Sequence, residues 1–291
     1  MFGGHRILNG HATVPALADR RSAPRIIGVI HLPPLPGTPF HDACRYSEGL
    51  AAARASVEAL VSGGAHGALI QTADRVYDLT APPDPMRVAL LSRLMTDLRA
   101  SAPDAFEMGV QVMRNCVEES LAIAHVANCD FIRATALIGA TLSASGWVTP
   151  NAAAIMRYRD AIGAWGVRLL ADIASVHNTW ANDDLPQLAG RAVTAGADGV
   201  VVGLPDLEVT VGMLRQLRTA KPDVTVILAG HATFDNAEVL LPLVDAAFVS
   251  GALSPRGWHG AMDADLVRRF VALAHAASPE PGAGSRAGGG S

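Results

Sequence analysis

The strongest constraint on this chain is a repeated alternation of short apolar runs with longer segments of helical period. RIIGVI (25–30) is β-branched and apolar, which predicts a buried strand. SEGLAAARASVEALVSGG (47–64) spaces its apolar residues as a helix does and ends in glycines. The same pairing recurs from ALIQ (68–71), EMGVQVM (107–113), DFIRATAL (130–137), VRLLADI (167–173), DGVVVGL (198–204), VTVILAG (224–230) and DAAFVSG (245–251), each followed by a helical pattern. Asp84 stands near the cap of the second helix, Asn151 opens the fourth, and Thr233 or Asp235 is expected to cap the seventh.

Eight such units have one economical solution. Strands this apolar, without polar alternation, are buried on both faces, as parallel strands are. Eight units in about 250 residues match a TIM barrel. The expected fold is α/β, a single (β/α)8 barrel over 25–278. An N-terminal extension (1–24) precedes it and a flexible Gly-rich tail (279–291) follows. An open doubly wound sheet would want a G-x-G-x-x-G after an early strand, and none is present.

Composition narrows the function classes. The 291 residues are 50% hydrophobic and 17% charged, with a net charge of -4, which argues against a nucleic-acid-binding surface. No apolar run is long enough for a membrane span, and the first residues lack an apolar signal core. The three cysteines lie outside any C-x-x-C, so a disulfide framework or zinc site is not expected and a cytoplasmic location is. Cys116 and Cys129 are expected to pack as small apolar residues. Homo-oligomer formation stays open.

In a barrel, function gathers at the C-terminal ends of the strands. His31 stands there, beside the stiff run Leu32-Pro33-Pro34-Leu35-Pro36. Asp74 follows strand two as a base, ligand or cap. Arg114 and Asn115 follow strand three. Arg133 and Asp172 are charges inside apolar strands; they either bridge each other or serve a ligand. His177 and His231 follow strands five and seven. His31, Asp172, His177 and His231 could together bind a divalent metal, although their spacing is not diagnostic and no cofactor is required. Gly230, Ser250 and Gly251 suit either a phosphate cradle or tight turns. Trp147, Trp180 and Trp258 fall in top loops, where Phe40, Tyr46 and Tyr77 also lie; they could stack a ligand or pack the loops. The one lysine, Lys221, faces 22 arginines and falls between helix six and strand seven. That is the bottom face, so a Schiff-base lysine is excluded from the site and cationic binding falls to arginine.

At IGVIHLPPLPGTP (27–39), GVQVMRN (109–115), AIAHVANCDFIRA (122–134), the Gly146 region and LLADI (169–173), the chain resembles the BtpA/SgcQ family of TIM barrels over roughly 25–275. The resemblance implies the fold more firmly than a reaction. One branch of the family is linked to photosystem I biogenesis or stability. Others stand among sugar or specialised-metabolite genes and look like phosphate-binding enzymes. This chain departs from the family pattern. Gln71-Thr72-Ala73-Asp74 replaces an ENFGD-like stretch, and Ser175-Val176-His177 replaces a VKH-like motif. Ala229-Gly230-His231 replaces a GSG-like loop. Ser250-Gly251 keeps the last turn, but Ser254-Pro255-Arg256 stands where a lysine follows in the family. The losses point away from a phosphorylated substrate.

The expectation is an enzyme on a small sugar- or nucleoside-like metabolite, working by lyase or isomerase chemistry. His31, Asp74, Asp172, His177 and His231 would carry catalysis. Arg114, Asn115, Arg133, Trp147, Trp180, Gly230, Ser250, Gly251 and Arg256 would bind substrate. A non-catalytic assembly factor and a ligand-binding barrel that has lost catalysis are the alternatives.

Overall fold

The computed structural model describes residues 23–277, except 75, 80–82, 177, 181–183 and 258–259. The expected extension (to residue 22) and the C-terminal tail lie outside the described residues, as do His177 and Trp258.

Eight parallel strands close into a barrel: β1 (Arg25–Leu32), β2 (Gly67–Thr72), β3 (Glu107–Gln111), β4 (Phe131–Ala134), β7 (Arg168–Ser175), β9 (Gly199–Gly203), β10 (Val226–Ala229) and β11 (Ala246–Val249). The ring closes because β11 pairs with β1, and Arg25 lies opposite Ala246. Helices α1 (Ala43–Ser62), α2 (Pro85–Ser101), α3 (Val117–Val126), α4 (Ala152–Ala161), α5 (Leu185–Thr194), α6 (Leu207–Ala220), α7 (Ala237–Leu240) and α8 (Ala264–Ala276) follow in alternation. Most open on a polar cap. Asp84 accepts the Met86 N–H, Asn151 the Ala154 N–H and Asp263 the Leu266 N–H.

Two expectations need correction. Helix α7 is a single turn whose N-cap is Asn236, not Thr233 or Asp235. Asn236 bonds backward instead, accepting from Thr233 N and donating to the His231 carbonyl. The segments after β4 and β7 are more than loops. Three short antiparallel strands, β5 (Thr141–Ser143), β6 (Gly146–Val148) and β8 (Asn178–Trp180), form a ribbon there. Lys221 caps α6 at the end remote from the strand C-termini, as its sequence position implies.

The barrel interior is filled, not hollow. Ile27, Val29, Leu69, Phe131, Leu170, Val201, Ile227, Ala229, Ala246 and Phe248 form one buried cluster. Phe131 and Phe248 stack with centroids 6.0 Å apart. Gly109 makes room for the Phe131 ring, which a β-carbon there would strike. Charges close both ends of this column. Arg168 lies over Phe131 at the bottom and binds Glu107 at 2.8 Å, which also pairs with Arg25. Arg133 lies over Phe248 at the top.

Candidate active site

Above the apolar plug, the inward positions of the strands turn polar. His31, Gln71 and Gln111 lie in register on three neighbouring strands. Gln111 is buried and donates through Nε2 to Thr135 Oγ1 at 3.2 Å. Its Oε1 and that of Gln71 are buried without a partner. Ser250 Oγ lies 3.5 Å from His31 Nδ1 across the β1–β11 seam.

Arg133 and Asp172 bridge each other in this layer: Nε donates to Oδ1 at 2.8 Å and Nη2 to Oδ2 at 2.9 Å. Both Asp172 oxygens are thus held by a guanidinium, which favours the bridge over a base or metal ligand. Among the described residues no three His, Cys, Asp or Glu side chains gather as a metal site.

The rim is built around Arg87 of α2. Its Nη2 donates to Asp74 Oδ2 at 2.8 Å, to the Met113 carbonyl at 2.9 Å and to Thr72 Oγ1 at 3.3 Å. One side chain therefore ties the loops after β2 and β3. Burial pushes the Asp74 carboxyl above its ordinary range, against the pull of Arg87. Asp74 is in this way an anchor for the loops more than a free base.

Arg114 has the opposite character. Its guanidinium lies 5.0 Å from the Tyr77 ring centroid. Its Nε and Nη1 are buried without a hydrogen-bond partner. Burial lowers its pKa, against the pull of Tyr77 and Asp172. Asn115 adopts φ 61° and its Oδ1 accepts the Ala136 N–H at 2.8 Å, so its side chain holds the backbone after β4 and is not offered to a ligand.

A cavity of about 1140 Å³ opens over this floor. His31, Gln71, Asp74, Arg114, Ser250 and Arg256 line it, with Tyr77. Arg133 and Asp172 do not line it, nor do Asn115, Trp147, Trp180, Gly230, His231 and Gly251. His231 and Gly230 are exposed, with the Gly230 N–H directed to the Phe248 carbonyl. Trp147 is 60% exposed on the β5–β6 hairpin, while Trp180 packs against the core. Cys116 and Cys129 are not nucleophiles: burial pushes the Cys116 thiol up to about 11 and Cys129 to about 12.

Sequence reasoning passed over Gln111. The signal was present, since an amide in an apolar strand, like the charge at Arg133, is costly to bury without a partner. It also did not foresee that Arg87 would pair with Asp74.

The BtpA family model matches residues 22–276. An uncharacterized protein of Archaeoglobus fulgidus is 29% identical over 252 residues, covering 86% of this chain and 98% of its own. The photosystem I biogenesis protein BtpA of Synechocystis is 27% identical, covering 88% of this chain and 90% of its own. Among solved structures, phosphoribosyl anthranilate isomerase of Thermococcus kodakaraensis superposes with a TM-score of 0.51 at 12% identity, covering 86% of this chain and 98% of its own. That likeness extends to the fold alone.

Proposed function

The chain belongs to the BtpA family, and on that premise we propose that its barrel is an enzyme acting on a small sugar- or nucleoside-like metabolite by lyase- or isomerase-type acid–base chemistry. One observation carries the reading: an imidazole, His31, and a half-buried cation with two unmet donors, Arg114, line the same cavity. Proton transfer beside a carbonyl needs both parts. One group moves the proton and the other stabilises charge developing on oxygen. Ser250 is placed to orient the imidazole. The chemistry needs no nucleotide cofactor. The three free cysteines support work in a reducing compartment, the cytoplasm. A role in specialised-metabolite biosynthesis fits this chemistry.

A second reading follows from the name of the Synechocystis relative: a factor that assists assembly of a larger complex without turnover. The exposed Leu142 and Trp147 of the β5–β6 hairpin favour it. The test separates the two. Purified protein is incubated in D2O with a panel of sugars, sugar acids and nucleosides, and products are followed by NMR and mass spectrometry. The enzyme reading expects a converted or deuterated compound with wild type and none with His31→Asn. No compound altered by wild type, or equal conversion by His31→Asn, overturns it.

A further inference from the structure

We infer that the strand-end floor of the cavity is built for a polyhydroxylated monocarboxylate, a sugar acid, and not for a sugar phosphate. The inference rests on the enzyme reading only for its location, the cavity over β1, β2, β3 and β11.

Charge balance comes first. At the strand ends Arg133 is neutralised by Asp172 and Arg87 by Asp74. Arg45 and Arg256 face the same cavity from α1 and from the loop after β11, where Asp42 and Glu48 also line it. Among the described residues this leaves Arg114 as the cation of the floor whose Nε and Nη1 have no hydrogen-bond partner. One positive charge matches one carboxylate. A phosphate monoester carries about -1.5 to -2 at neutral pH and would leave negative charge unmet. Gly230 and Gly251, the glycines of the two turns that suit phosphate, are exposed and do not line the cavity.

The uncharged groups specify the rest of the ligand. Gln71 lines the cavity and its Oε1 is a buried acceptor without a donor. An apolar acid would leave it unmet, whereas a hydroxyl of a polyol supplies the donor. The Tyr77 face backs Arg114 and holds its guanidinium plane.

Calorimetric titration tests this with gluconate, glucuronate, glucose, glucose 6-phosphate and hexanoate against wild type, His31→Asn, Arg114→Gln and Gln71→Leu. The expected result is binding of a sugar acid at least tenfold tighter than glucose, glucose 6-phosphate or hexanoate. Arg114→Gln should lose at least tenfold of that affinity with an unchanged circular dichroism spectrum. Gln71→Leu should narrow the preference for sugar acid over hexanoate. Tighter binding of glucose 6-phosphate, no binding of either acid, or wild-type affinity in Arg114→Gln overturns the inference. Sugar-acid binding without turnover in wild type and His31→Asn supports it while overturning the catalytic reading. Turnover of a sugar phosphate does the reverse.

Discussion

Arg133 and Asp172 meet in a two-point ion pair at the top of the barrel interior, with Asp172 only 3% exposed and Arg133 14%. Removing one partner strands a charge where water cannot solvate it. Asp172→Leu should therefore cost about 3–5 kcal/mol in urea unfolding, and the double variant Arg133→Met/Asp172→Leu should recover most of that loss. Equal instability of single and double variants would contradict the pairing.

Arg87 is the tie between the loops after β2 and β3, and Arg87→Met leaves Asp74 buried alone. Burial already raises the Asp74 carboxyl, and losing Arg87 raises it further. An acid whose folded pKa is raised stabilises the fold at low pH, and that contribution fades as pH rises through it. The melting-temperature gap between wild type and Arg87→Met should therefore narrow from pH 8 to pH 5. A constant gap would oppose this.

His66 is a stability sensor at the bottom of the barrel. Its Nδ1 accepts the Ile26 N–H at 3.1 Å, and burial, helped by Arg25 and His275, lowers its pKa from 6.5 to about 4. The neutral form is the folded form, so its contribution is complete above pH 6.5 and is lost as pH falls toward 4. His66→Asn keeps an acceptor without a titration. Its denaturation curves should lose less stability than wild type between pH 6.5 and 4.

Gly203 lies against the Ala229 carbonyl of β10, which a β-carbon would strike. Backbone in a closed barrel has little room to yield. Gly203→Ala should destabilise the protein by about 3 kcal/mol, read by urea denaturation, whereas Gly212→Ala, open around its α-carbon, should not.

The barrel was legible in the sequence because each strand is a dense apolar run and each helix a strong period. The ribbon of β5, β6 and β8 was not, since three-residue strands show no period and are made by pairing with one another. His31 could be singled out from its proline-stiffened loop, and Arg114 from its place after β3. Asp74 stood as a base, ligand or cap, because its sequence position does not reveal that Arg87 comes to lie opposite. The Arg133–Asp172 bridge was one of two readings open from the strand charges. Gln111 was hidden by its company of Val110 and Val112, though it is a buried polar side chain among them.

Proton transfer at His31 is the central claim, and solvent deuterium uptake measures it most directly. With the acid that binds most tightly, the rate at which deuterium enters the ligand carbon should fall about 10²–10⁴-fold in His31→Asn while the affinity for that acid is retained. Equal rates in wild type and His31→Asn would contradict the account.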